Sequence, residues 1–117
     1  MKMVQKSRVM DSENNTILTE IFGNSPPVRI LDFFLDNKLF DFSKSEIARE
    51  IGTSKVTVHK YIDALLRLGI LKENRKIGRA SMYKLNLESP LVKKLMEIED
   101  ILIKKGYEES LLKVSTP

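Results

Sequence analysis

The sequence predicts a mainly α-helical domain that contains one small β-hairpin. Three observations support this fold class: apolar residues recur every three to four positions through most of the chain, the spacing changes to alternation after Gly69, and helical stretches begin at Ser or Thr and end at Gly. The length of 117 residues suits one domain with a modest core. We therefore expect a single folded domain.

The N-terminal part of the chain should contain an arm and two helices. Residues 1–15 are polar and lack a sustained period, which predicts a loosely ordered arm. A short helix is predicted from Thr16 to Phe22, and Ser25 should cap a second helix that begins with two prolines and fades near Asn37. Three apolar residues of the following loop are expected to fold back onto the core: Leu39, Phe40 and Phe42.

Two short helices separated by a glycine turn are predicted next. The run from Ser43 to Glu46 matches a capping box, which begins a third helix that should end at Gly52. Thr53 is predicted to cap a fourth helix that runs to Leu68 and stops at Gly69. Two helices joined in this way are typical of a helix-turn-helix motif.

A hairpin and a last helix complete the predicted elements. Strands are expected at Ile70-Leu71 and from Ser81 to Leu87, joined by a basic tip from Asn74 to Arg79. Ser89 and Pro90 should begin the last helix, which is predicted to end at Gly106. The predicted organisation is therefore an arm at 1–15, a helix-turn-helix domain with its hairpin at 16–88, a C-terminal helix at 89–106 and a tail at 107–117.

The positive charge is concentrated in the middle of the chain. The net charge is +4, and residues 43–86 carry 10 basic and 4 acidic side chains, whereas the segments before and after carry 5 basic and 6 acidic side chains each. Such a concentration is expected when one element of a domain faces a polyanion such as nucleic acid. The alternative is a solvated, lysine-rich face.

The predicted fourth helix has one apolar face and one face that a partner could contact. At about 100° per residue, Val58, Ile62 and Leu65 fall on one stripe, which should face the core. The major groove of DNA admits an α-helix, and a recognition helix meets base edges with its N-terminal residues. The predicted DNA contacts of this motif are Ser43, Lys44, Ser54, Lys55, Val56, Thr57, His59 and Lys60.

Two further features favour a nucleic-acid partner. Val56 falls on the solvent side of its helix, where it could contact a thymine methyl group, although a single exposed valine needs no explanation. Arg75, Lys76 and Arg79 lie within five residues at the predicted hairpin tip, which would carry them into a minor groove or along a phosphate backbone. The alternative for these three residues is a solvated turn.

The order of these elements resembles a known family. The segments from Ser43 to Leu71 and from Arg75 to Leu85 are similar to winged-helix transcriptional regulators of archaea and bacteria, of the broad ArsR-like and MarR-like kind. The resemblance implies a winged helix-turn-helix fold in which Ser54 to Lys60 enter the major groove and the wing, Arg75 to Arg79, touches backbone or minor groove. Metal-sensing ArsR-like proteins typically use cysteines, and this chain has none.

The last helix carries an apolar seam that could pair with a second copy of the chain. Leu91, Leu95, Ile98 and Leu102 follow spacings of 4, 3 and 4, and further apolar residues widen the surface beyond one stripe. We therefore predict a C-terminal dimerisation helix and a homodimer. The alternative is a helix that only closes the core of the monomer.

Several classes of function are excluded or disfavoured. The absence of cysteine excludes disulfides, zinc-cysteine sites and thiol nucleophiles, and the single histidine, His59, lacks a second histidine for a metal site. There is no phosphate-binding glycine loop, and Glu97, Glu99 and Asp100 are expected on the solvated face of the last helix. We therefore expect no catalytic site, no metal and no cofactor. With no long apolar run, a cytoplasmic protein is expected.

The function best supported by these patterns is sequence-specific binding of double-stranded DNA by a dimeric transcription regulator. Two alternatives remain open from the sequence. One is a winged-helix protein-interaction module whose basic face is incidental. The other is a DNA-binding protein of replication or plasmid maintenance.

Overall fold

The computed structural model describes the backbone of residues 17–115 and the side chains of residues 18–106. The predicted arm at 1–15 lies outside the described residues. Within them the chain forms five helices and one antiparallel hairpin, which supports the predicted fold class. The elements are α1 (Ile17–Phe22), α2 (Pro26–Asp36), α3 (Lys44–Ile51), α4 (Lys55–Arg67), β1 (Leu71–Ile77), β2 (Ala80–Leu85) and α5 (Pro90–Ser115).

The predicted capping box at the start of α3 is present. The Ser43 hydroxyl accepts a hydrogen bond from the Glu46 N–H at 3.2 Å, and Glu46 Oε1 accepts one from the Ser43 N–H at 2.9 Å. The helix ends at Gly52, whose φ of 71° is left-handed and therefore costs a glycine little. These two signals fix both ends of α3 as predicted.

The cap of α4 differs from the prediction by one residue. The N-cap is Ser54, whose hydroxyl accepts a hydrogen bond from the Thr57 N–H at 3.1 Å, and not Thr53. The Thr53 N–H donates to the Ala48 carbonyl oxygen at 3.0 Å, so Thr53 is used to finish the turn after α3. The helix ends at Arg67, with Leu68 as its C-cap.

The hairpin has longer strands and a shorter tip than predicted. Arg75 and Lys76 lie within β1, opposite Met82 and Ser81, and only Gly78 and Arg79 form the turn between the strands. The predicted six-residue tip is therefore wrong, because the ladder continues to the pair Ile77 and Ala80. The second strand ends at Leu85 and not at Leu87.

A single residue of the loop between α2 and α3 extends the hairpin on its other edge. The N–H groups of Phe42 and Tyr83 each donate to the other residue's carbonyl oxygen at 2.8 Å. This bridge docks β2 against the helices and carries the Phe42 ring into the core, 4.5 Å from the Phe33 ring between centroids. It positions the wing next to the start of α3.

The core lies between the helices and the inner face of the hairpin. Its most buried residues include Ile30 and Phe34 of α2, Leu85 of β2 and Val92 of α5. The stripe predicted for α4 is confirmed by the burial of Val58, Ile62 and Leu65.

Leu39 and Phe40 do not fold back onto the core as predicted. They are 73% and 46% exposed, whereas Phe42 is 2% exposed. The Phe40 N–H donates to the Asn37 carbonyl oxygen at 3.1 Å, and this turn directs both side chains outward before the bridge at Phe42 returns the chain to the core.

The last helix runs past its predicted end. α5 continues to Ser115, so Gly106 does not terminate it and the predicted tail is largely helical backbone. A glycine inside a helix costs only about 1 kcal/mol relative to alanine, which is too little to end a long helix by itself.

The faces of α5 also differ from the prediction. Glu99 is 3% exposed, with Oε1 3.8 Å from the Lys38 ammonium, because it lies seven residues after the buried Val92 and so on the same face. The predicted seam is split. Leu95 and Leu102 pack against the chain's own core, whereas Leu91 and Ile98 are 44% and 42% exposed.

Candidate nucleic-acid interface

The first turns of α3 and α4 and the turn of the hairpin surround an open cavity of about 300 Å³. Its lining contains the cationic side chains of Lys44, Lys55 and Arg79 and the imidazole of His59, and among the described residues it contains no carboxylate. The described lining residues are Ser43, Lys44, Ser45, Lys55, His59, Arg79, Ala80, Ser81 and Tyr83. A concave surface with only positive formal charge attracts an anionic partner.

The caps and the hairpin turn explain why these side chains converge. The Ser43 cap makes Lys44 the first residue of α3, and the Ser54 cap makes Lys55 the first residue of α4. The bridge between Phe42 and Tyr83 then brings the hairpin turn, with Arg79, to the same side. Because helix N-termini carry partial positive charge, the two helices reinforce the field of the side chains.

Lys44 and His59, which both line the cavity, contact each other. The Lys44 ammonium donates to Nδ1 of His59 at 2.6 Å, since an ammonium group cannot accept a hydrogen bond. Lys44 Nζ also lies 5.7 Å from the centroid of the Tyr83 ring, a cation-π arrangement that links α3 to the wing.

The remaining predicted residues of α4 divide into structural and exposed groups. The Ser54 hydroxyl donates to Thr57 Oγ1 at 2.9 Å while accepting from the Thr57 N–H, so both residues contribute to the helix start. Val56 is 80% exposed on the first turn, so its predicted position on the solvent side of the helix is confirmed. Lys60 is exposed, with Nζ 5.3 Å from the centroid of the Tyr61 ring.

Arg75 does not join the cavity. Its Nε donates to Oδ2 of Asp41 at 2.7 Å and its Nη2 donates to Oδ1 at 3.2 Å, while Asn74 Nδ2 also donates to Oδ2 at 2.9 Å. Asp41 is 5% exposed, and this carboxylate raises the pKa of Arg75 through the hydrogen bond and the charge attraction. The structure therefore separates Arg75 from Arg79.

Lys76 occupies a position on the cavity side of the hairpin. It pairs with Ser81, and residues directly opposite each other in an antiparallel ladder share a face. Ser81 and Tyr83, on the same face of β2, line the cavity, so Lys76 flanks it without lining it.

Asp41 is the site-related residue that the sequence patterns missed. It stands between two phenylalanines, next to a capping box, and no period or motif distinguishes it from a solvated loop acid. The extra residue in β1 between Glu73 and Arg75, a β-bulge, also gave no sequence signal.

The described part of the chain shows neither a metal-binding cluster nor a membrane-spanning helix. Among residues 18–106, no group of three or more His, Cys, Asp or Glu side chains could hold a metal ion. No helix within residues 17–115 is both long enough and apolar enough to cross a membrane.

A helix-turn-helix motif followed by a hairpin that docks on it is the winged helix-turn-helix architecture, and the predicted fold is confirmed. The helices α3 and α4 form the motif, and β1 and β2 form the wing. The cavity lies where the second helix of the motif meets the wing.

Solved structures similar to this chain include transcriptional regulators. The antimony-specific transcriptional repressor AntR shares 18% identity and a TM-score of 0.56, over 92% of this chain and 99% of AntR. HlyU from Vibrio cholerae shares 24% identity and a TM-score of 0.55, over 74% and 87% of the two chains. Sso10a-2, a DNA-binding protein from Sulfolobus solfataricus, shares 22% identity and a TM-score of 0.51, over 79% and 94%.

No known family of protein sequences matches this chain, and neither does any curated protein. The similarity to the solved structures therefore establishes the winged-helix fold that they share.

Proposed function

We propose that this protein is a transcription regulator that binds double-stranded DNA through the cavity face. The observation that carries the proposal is the convergence of Lys44, Lys55 and Arg79 around a cavity whose lining, within the part of the chain that the structure describes, holds no carboxylate. Next to it, the first turn of α4 is exposed at Lys55 and Val56. This combination places side chains that can contact phosphates and an exposed helical turn that can enter a groove on one surface.

In the proposed complex, the N-terminal turn of α4 enters the major groove and the wing lies along the backbone or in the minor groove. Phosphate neutralisation by Lys44, Lys55, Lys60, Lys76 and Arg79 supplies most of the affinity. Exposed groove-facing positions, Val56 first among them, supply discrimination between bases. We also propose that it works in the cytoplasm.

The solved structures with the same fold support this proposal by analogy. AntR is a transcriptional repressor and Sso10a-2 is a DNA-binding protein. A fold hosts more than one function, so the charge and exposure of this chain's own cavity face carry more weight than the analogy.

We further propose that the regulator is a homodimer formed through α5 and α1. Leu91, Ile98 and Ile101 of α5 are each more than 40% exposed, and α1, which packs against α5, exposes Ile21 and Phe22. A second copy would cover these side chains. It would also place two recognition helices about one DNA turn apart, roughly 34 Å.

The test of DNA binding is fluorescence anisotropy of a labelled random duplex across a salt series. We expect log K to fall linearly with log salt, with a slope of about −0.9 for each phosphate contacted. Arg79→Ala should weaken binding nearly equally on all sequences and make the slope shallower by about 0.9. Lys93→Ala on α5 is the matched control, because it removes the same charge at an exposed residue outside the cavity lining and away from the face that carries Leu91, Ile98 and Ile101.

Absence of binding at low salt would contradict the proposal and favour the protein-interaction module. If binding-site selection yields no preferred sequence and every duplex binds equally well, the proposal that binding is sequence-specific is refuted.

The test of the dimer is the molar mass in solution. The chain has a mass of 13.5 kDa, so light scattering on a sizing column should give twice that value. The double variant Ile98→Glu with Ile101→Glu should give the monomer mass while keeping the helical circular-dichroism spectrum. A wild-type protein that is monomeric at micromolar concentration would refute the dimer.

A further inference from the structure

On the face of the wing opposite the cavity, an ion pair between Asp41 and Arg75 crosses β2, and we call this pair the strap. Arg75 lies opposite Met82 in the hairpin, so the two side chains share a face. Phe42 lies opposite Tyr83 on the other edge of β2, so the preceding residue, Asp41, falls on the Met82 face. The pair between Asp41 and Arg75 therefore crosses β2 on that face.

Apart from its ladder with β2, the strand that the strap holds has little contact with the rest of the domain. In β1 only Leu71 is buried, and every residue from Lys72 to Ile77 is exposed. The outer half of this strand therefore contributes nothing to the hydrophobic core. Asp41 contacts it at Asn74 and Arg75, at the β-bulge, through hydrogen bonds of 2.7 to 3.2 Å.

The geometry around Asp41 favours a fixed interaction with Arg75 over a mobile surface ion pair. Asp41 is 5% exposed, and its neighbour Phe42 is held by two backbone hydrogen bonds to Tyr83. Arg75 uses two different guanidinium nitrogens on the two oxygens of one carboxylate, the planar fork arrangement that lysine cannot reproduce. Met82, outside the main core cluster, is 4% exposed on the same face.

We propose that Asp41 is a positioning residue for DNA binding, which sets the orientation of the wing through Arg75 and Asn74 and so places Arg79 beside Lys44 and Lys55. This inference rests on the proposed function, because its readout is affinity for DNA. It assigns Arg75 to the strap and not to a phosphate, in contrast to the expectation from the sequence.

The sign of the effect of Asp41→Asn tests the proposal. Removing a negative charge from a DNA-binding domain should strengthen binding if only the overall field matters. Loss of the strap should instead weaken binding, by about tenfold for one well-placed charged contact. The charge-matched control is Glu88→Gln, at an exposed loop residue, which should bind as the wild type does or slightly more tightly.

Arg75→Lys distinguishes the strap from a direct phosphate contact without a change in net charge. A lysine would keep a phosphate contact but lose the two-pronged pairing with Asp41. We expect Arg75→Lys to weaken binding about as much as Asp41→Asn, and the double variant to be no weaker than either, since all three break one interaction. Near-wild-type binding of Arg75→Lys would overturn the proposal.

Hydrogen exchange provides a readout that does not depend on DNA. In Asp41→Asn the backbone amides of residues 72–84 should exchange faster, while those of α3 and α4 keep their protection. If the wild type fails to bind DNA, the proposed function fails, and hydrogen exchange still decides whether Asp41 orders the wing. Tighter binding of Asp41→Asn, or unchanged exchange in the wing, overturns the positioning role.

Discussion

Positively charged side chains on the two sides of the wing have different surroundings. On the cavity face, Lys44, Lys55 and Arg79 line a surface whose described residues include no carboxylate. On the back, Arg75 is paired with the nearly buried Asp41. All four cations belong to one basic segment, so an excess of charge along the sequence does not by itself define one surface. Pairing with a carboxylate decides which cations are available to a partner.

This difference has an energetic basis. Like charges gathered around one cavity repel each other and lower the stability of the free protein, a cost that an anionic ligand removes. A bidentate pair with a nearly buried acid is stabilised by geometry already present in the folded chain. The charges of the cavity face are therefore stabilised only when an anionic partner binds, whereas the ion pair on the back of the wing is stabilised in the free protein.

The largest expected effect comes from reversing a charge on the cavity face. Lys55→Glu should weaken DNA binding about a hundredfold at low salt, because it removes one attraction and adds one repulsion next to the phosphates. Lys93→Glu on α5 makes the same change in net charge away from both the cavity and the proposed dimer face, and it should cost far less. Anisotropy titrations of both variants would measure the difference, and equal losses would show that only net charge matters.

Much of the scaffold of the cavity follows from local sequence signals. The capping box at Ser43, the left-handed residue Gly52 and the apolar stripe of α4 each involve residues within one or two helical turns. Such signals can be recognised from spacing alone, because the partners are close along the chain. They also predict which face of α4 stays exposed.

The features that sequence patterns miss depend on distant partners or on competition between neighbours. Asp41 and Arg75 are 34 positions apart, and their pairing requires the register of the hairpin. Thr53 and Ser54 are both good N-caps, and the structure uses Ser54, while the Thr53 N–H donates to the Ala48 carbonyl oxygen at the end of α3. Glu99 faces inward because of the rotation of α5 on the core, which spacing did not fix.

A smaller effect would show whether a site residue is structural. Ser54→Ala should lower the free energy of unfolding by about 1 kcal/mol, because the hydroxyl caps α4. The affinity of the folded fraction for DNA should hardly change, since that hydroxyl is already engaged with Thr57. Thermal and urea unfolding measure the stability. Ser25→Ala is the control, at an N-cap whose side chain makes no capping hydrogen bond, and should cost less.

The smallest expected effect separates base discrimination from phosphate attraction on the cavity face. Val56 is 80% exposed, so Val56→Ala should leave the melting temperature almost unchanged. If its side chain contacts a thymine methyl group, the loss of one buried methylene equivalent should reduce the preference for thymine at one position about fourfold, with the salt slope unchanged. Binding-site selection with both proteins measures this preference, and Leu68→Ala, at another exposed residue beyond the end of α4, is the control. If the base preference is identical before and after the change at Val56, the proposed contact with a base is refuted and only contacts between α4 and the DNA backbone remain.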